Sequence, residues 1–125
     1  MPDQDGYPTD DELKRIDEWP EGGVEGEAHA HWNALFDFVR SVWWGADWRW
    51  HELEGPPRWL RGLSRRRRFA KHRWLEVSTG GWSGNEELIS HLQRKVIVWD
   101  QTWVNHRCGG YYIFAVPRSA SGDDD

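Results

Sequence analysis

Residues 73 to 94 read RWLEVSTGGWSGNEELISHLQR, and within this one stretch the hydrophobic period changes from two to about 3.6. Leu75 and Val77 alternate with Trp74 and Glu76, so residues 73 to 79 read as a strand. Gly80 and Gly81 interrupt it. Ser83 followed by Glu86 has the spacing of a capping box, and Leu88, Ile89 and Leu92 then share one side of a helix over residues 84 to 94. A strand leading through a glycine turn into a capped helix is the unit around which the rest of the chain is read.

Toward the C-terminus, residues 96 to 104 and 111 to 116 are rich in β-branched and aromatic residues and read as two strands. Asn105 to Gly110 would join them as a hairpin, and Pro117 ends the second. Toward the N-terminus, residues 47 to 53 alternate, with Trp48 and Trp50 on one face and Arg49, His51 and Leu53 on the other, before Gly55-Pro56-Pro57 stops the run. Trp32, Leu35, Phe36, Val39, Val42 and Trp43 recur at helical spacing over residues 28 to 44, and Gly45 is placed to terminate that helix. Thr9 and Glu12 form a second capping box, with Asp10 and Asp11 in the first turn, so a helix spans residues 10 to 18 ahead of Pro20. The order α-α-β-β-α-β-β predicts a single α+β domain over residues 9 to 117, an antiparallel sheet with helices packed mainly on one face. Residues 1 to 8 and 118 to 125 read as acidic flexible ends, and residues 58 to 72 as a basic connection.

A chain of 125 residues and 14.8 kDa is one domain's worth, and 38% hydrophobic with 30% charged residues fits a soluble globule. No apolar run is long enough to span a bilayer, and the first 27 residues are acidic, unlike a secretory signal. A lone cysteine, Cys108, excludes an internal disulfide and a thiolate zinc cage, and fits a reducing cytoplasm. Eleven tryptophans exceed any general folding requirement.

The net charge of −5 conceals a concentrated basic run: residues 58 to 73 hold eight bases and no acid. Arg58, Arg61, Arg65, Arg66, Arg67, Arg68, Lys71 and Arg73 alternate there with Trp59, Leu60, Leu63 and Phe69. Such a run is either a self-repelling solvated loop, an anion or nucleic-acid contact, or a partner for the chain's own acidic ends. The turn Ser78-Thr79-Gly80-Gly81-Trp82-Ser83-Gly84-Asn85 likewise has two readings. It is a structural turn, or it lets an anion approach backbone N–H groups and hydroxyls at a helix start. Neither a Walker A motif nor a dinucleotide fingerprint is present.

Trp32 and Trp43 on the helical stripe, and Trp99 with Trp103 on the third strand, read as core. Trp48, Trp50, Trp74 and Trp82 lie among polar residues or at a turn, so some of them should be exposed beside arginines, able to stack on a base or anchor a protein. Metal and nucleophile signals are weak. His29 and His31 point apart on a helix, Cys108 with His106 lacks a third orienting group, and Asp47, Glu52, Glu54, Glu76 and Asp100 have no nuclease-like spacing. No metal and no cofactor is implied.

Tyr7-Pro8-Thr9 ahead of Glu12-Leu13, residues 78 to 86, and Gly109 through Phe114 resemble a group of small proteins encoded by tailed phages and prophages, over most of residues 7 to 117. The resemblance implies a bacterial cell under phage control, where small accessory proteins bind or block host components. It carries over no catalytic residue. The expected function is non-catalytic capture of an anionic, nucleotide-like ligand by residues 78 to 85 with Trp48, Trp50, Trp74 and Arg73, and sequestration of a host defence signal would be one use. Arg65 to Arg68 and Lys71 would add anion or nucleic-acid contacts. The competing expectations are an inhibitor or adaptor on a host protein and a nucleic-acid-binding accessory factor, with an enzyme last. No membrane partner is expected, and surplus aromatic surface makes a homo-oligomer a natural way to cover it.

Overall fold

A computed structural model describes residues 7–21, 25–56, 72–107 and 109–118, with side chains from residue 30 onward in the second span. Helix α1 (Asp10–Asp17) starts as its cap dictates: the Glu12 N–H donates to the Thr9 hydroxyl at 3.1 Å, and the Thr9 N–H donates to the Glu12 carboxylate at 2.8 Å. It buries Leu13 and Ile16. Helix α2 (Glu25–Val42) presents Trp32, Leu35, Phe36, Val39 and Val42 to the core, all of them buried.

The strand expected over residues 47 to 53 begins later. Gly45 takes φ +72°, a left-handed conformation that glycine adopts without a Cβ penalty, and its carbonyl accepts from the Trp48 and Arg49 N–H groups at 3.1 and 2.9 Å. Those bonds wind Ala46–Arg49 into a helical turn, α3, before β1 (Trp50–Leu53) starts. Trp48 is therefore on the turn and 60% exposed, whereas Trp50 is on the strand and buried.

Strand β2 (His72–Ser78) leads through the glycine turn into α4 (Ser83–Arg94), as the central stretch predicts, except that Trp82 rather than Ser83 takes the N-cap position and no side chain caps the helix. The strand expected over residues 96 to 104 is helix α5 (Val96–Thr102), and only then does β3 (Trp103–Arg107) pair with β4 (Tyr111–Pro117). β-Branched composition favoured a strand, but alternation would have buried Asp100 beside Val98. Helical spacing instead buries Val98 and Thr102, leaves Asp100 in solvent, and lets the Thr102 hydroxyl donate to the Val98 carbonyl at 2.8 Å. Trp99 and Trp103 stack at 6.2 Å across the helix–strand junction, not along one strand, and Trp103 is 38% exposed.

The sheet is antiparallel throughout, in the order β1-β2-β4-β3. Its inner face carries Trp50, Leu75, Val77, Phe114 and Val116 into the main core, where the buried residues of α1, α2, α4 and α5 meet them. The chain is a single α+β domain. On the outer face, Trp74, Ile113 and Ala115 form a separate buried cluster with Leu53 and Val104, and beyond it toward the glycine turn the face becomes polar. No helix among the described residues is long and apolar enough to cross a membrane.

Candidate functional site

The glycine turn is closed by its own side chains. The Gly80 N–H donates to the Ser78 hydroxyl at 3.1 Å, the Gly81 N–H donates to the Thr79 hydroxyl at 3.3 Å, and the Trp82 N–H donates to the Thr79 carbonyl at 2.9 Å. Both glycine donors that an anion would have used are thus committed within the turn. Thr79 is buried, and Asn85, also buried, ties the turn to the end of α2: its side chain accepts from the Trp44 N–H at 2.9 Å and donates to the Trp44 and Thr79 carbonyls. Gly84 is buried in the first turn of α4, and Ser83 shares a 2.8 Å hydrogen bond with the Tyr7 hydroxyl. Residues 78 to 85 are thus a frame tied to itself, to the end of α2 and to Tyr7.

The frame holds an aromatic row. Tyr7 lies 5.2 Å from Trp82, Trp82 stacks on Trp44 at 4.7 Å, and Trp44 meets Trp48 edge-on at 6.5 Å. Arg49 lies along this row, its guanidinium 5.3 Å from the Trp44 ring and 5.8 Å from the Trp48 ring. It also lies directly on Gly80, where a Cβ would displace the end of the Arg49 side chain, and the φ of +62° at Gly80 is one that favours glycine. The Arg49 side chain makes no hydrogen bond or ion pair among the described residues, and its Nε is buried without an acceptor.

Arg49 opens onto a cleft of about 240 Å³ on the outer face of the sheet. Trp48 and Arg49 form its α3 side, His51, Glu76, Val77 and Ser78 its floor, and Tyr111 its far wall. Antiparallel register makes the polar neighbours: His51 is directly opposite Glu76, and Ser78 is directly opposite Tyr111. Tyr111 is 44% exposed and carries the Arg107 guanidinium 5.9 Å from its ring. Glu76 is half-buried and, like that of Arg49, its side chain has no hydrogen bond or ion pair among the described residues. The cleft thus offers a cation, a carboxylate, an imidazole and two accessible rings.

Of the residues expected at a site, Trp48 and Ser78 line this cleft, Gly80 lies against its Arg49, and Trp82 stacks on Trp44. Trp50 and Trp74 do not reach it as ligand platforms: both are buried, Trp50 in the main core and Trp74 in the outer cluster. Arg73 is engaged elsewhere, donating to Glu52 at 2.7 and 3.0 Å, to Asp37 at 2.7 Å and to the Asn33 carbonyl at 3.2 Å. Burial alone would raise the Glu52 carboxyl, but hydrogen bonds and charge from Arg73, with help from Trp50 and Arg40, outweigh it and hold the group below its ordinary range. Arg65, Arg66, Arg67, Arg68, Lys71 and Cys108 lie outside the described residues. Among those described, no cluster of three or more histidine, cysteine or acidic side chains is placed to hold a metal.

Sequence reading did not single out Arg49, His51 or Tyr111 as site residues, and placed Glu76 only among scattered carboxylates. The signal available for Arg49 was its position between two tryptophans and ahead of the polar side of a strand. No known protein family, curated protein or solved structure matches the chain.

Proposed function

We propose that the outer-face cleft binds a small anionic, nucleotide-like ligand and does not convert it. Arg49 carries this reading: a guanidinium held between two indoles and a glycine, with no acceptor of its own, is pre-positioned for a phosphate or carboxylate. Exposed Trp48 and Tyr111 supply ring faces for a flat group. The space is below the ~300–1,000 Å³ usual for drug-sized ligands, which suits a single nucleotide rather than a dinucleotide. Ser78, the hydroxyl on the floor, is tied to the Gly80 N–H, which favours binding over nucleophilic chemistry. In the phage setting that the sequence resembles, the use would be sequestration of a host signal.

Titration calorimetry and tryptophan fluorescence with mono-, di- and cyclic nucleotides test the reading. Saturable binding is expected, weakened roughly tenfold or more by Arg49→Ala through loss of a charge-assisted contact. Absence of binding across the panel would overturn it. Binding that grew with oligonucleotide length and fell steeply with salt would move the reading to nucleic acid.

A second reading, an adaptor on a host protein, is favoured by Val96 and Ile97, which are 70% and 54% exposed at the start of α5. It expects a stoichiometric complex that survives nucleotide removal and is lost in Ile97→Glu.

A further inference from the structure

The cleft holds one uncommitted cation and one uncommitted anion. Arg49 and Glu76 line the same space and yet do not pair with each other or with any other group among the described residues. The half-buried Glu76 carboxylate is left able to accept from a ligand, and the buried, acceptorless Arg49 Nε is a donor that a ligand can satisfy. A bare phosphate would satisfy Arg49 but be repelled by Glu76. The complementary ligand carries an acid at one end and N–H donors at the other, with a flat body to lie between the Trp48 and Tyr111 rings.

Resting on the nucleotide reading above, we infer that the cleft selects guanine nucleotides, with Glu76 accepting from the base and Arg49 binding its phosphate. Among the common bases, guanine alone presents two adjacent donors, N1–H and the 2-amino group, on its pairing edge, and these match the two oxygens of a carboxylate. Adenine presents the bare N1 lone pair beside its amine, so one carboxylate oxygen would face an acceptor. Cytosine has the same defect at N3, and uracil offers a single N–H between two carbonyls. The next position along the guanine edge is the O6 acceptor. His51, directly across the strand pair from Glu76, supplies a ring N–H for it.

The test compares guanosine, inosine and adenosine monophosphates and inorganic phosphate on the intact protein, then repeats the series with Glu76→Gln. Guanosine monophosphate is expected to bind at least about tenfold more tightly than the adenosine compound, because each hydrogen bond to a charged acceptor is worth about that factor. Inosine monophosphate, which keeps N1–H and lacks the 2-amino group, falls between them. Glu76→Gln is expected to weaken guanosine monophosphate and leave adenosine monophosphate as tight as before or tighter, which erases the preference. The ligand series makes the same discrimination without any substitution, so a poorly folded variant does not remove the test. Equal binding of the guanosine and adenosine compounds, both weakened in Arg49→Ala, would overturn guanine selection and leave the anion site standing. Binding of none of these ligands would overturn both. A preference that persists in Glu76→Gln would overturn the assignment to that carboxylate.

Discussion

Arg73 and Arg49 carry the same guanidinium into opposite circumstances. Arg73, with 14% of its side chain exposed, fills its donors with Glu52, Asp37 and the Asn33 carbonyl, and so fastens β2 to β1 and α2. Its bonds and charge lower the Glu52 carboxyl against the upward push of burial. A carboxyl whose folded-state value lies below its unfolded value contributes stability that is fully present above the unfolded value and is lost as pH falls through the folded one. Acid titration of the folded protein, followed by urea midpoints from pH 7 downward, should therefore show stability falling below the ordinary carboxylate range. Glu52→Gln should be less stable at neutral pH and should flatten that slope. With 37% of the Glu52 side chain exposed, solvent screens the pair, so the effect is a fraction of what a buried pair would give. An unchanged slope in Glu52→Gln would show that other carboxylates dominate. Arg49 has no such duty, which is why Arg49→Ala should cost binding far more than stability.

At the scale of elements, α5 is where local preference and tertiary context part company. Val96, Ile97 and Val98 favour a strand by side-chain shape, yet Val96 and Ile97 end up largely in solvent on a helix, where their branched side chains gain little from burial. Val96→Ala with Ile97→Ala should therefore be neutral or stabilising by up to about 1 kcal/mol, since alanine is the better helix former. In a strand the same pair would lose β preference and packing, and a clear drop in thermal midpoint would contradict the helix. This divides what was legible from what was not. The α1 cap, the α2 stripe and the strand–turn–helix at residues 73 to 94 rest on contiguous residues with one period each, and all three elements are present. The site rests on contacts between segments. Arg49 meets Gly80 because Gly45 turns the chain, and His51 faces Glu76 because of sheet register, neither of which any local pattern encodes. Trp48, Trp50 and Trp74 look alike among polar neighbours, but only the winding of α3 leaves the first in solvent and sends the second into the core.

Across the whole molecule, α1 is a short helix held to the body by few attachments, and its leading residue Tyr7 packs on Trp82 behind the cleft. Eight residues of helix are marginal alone, so its order depends on what it touches. Leu13 and Ile16 enter the core, Asp17 meets His91 at 2.7 Å, and buried Lys95 donates to the Trp19 carbonyl at 2.6 Å and the Asp17 carbonyl at 3.4 Å, with Glu21 at 3.8 Å. The Lys95 ammonium thus meets the negative end of the α1 dipole. Lys95→Met keeps the apolar stem and removes those donors, and should cost about 1–3 kcal/mol. The loss should be local. Amide exchange should accelerate first over Asp10–Asp17, while β2 and β4, which pair over seven residues at the centre of the sheet, stay protected. Because Tyr7 precedes α1, the same substitution should loosen the Tyr7–Trp82 contact and alter tryptophan emission before the global transition. Uniform acceleration across helix and sheet would mean that α1 and the sheet open as one cooperative unit, and the aromatic row behind Arg49 would then be only as stable as the fold itself.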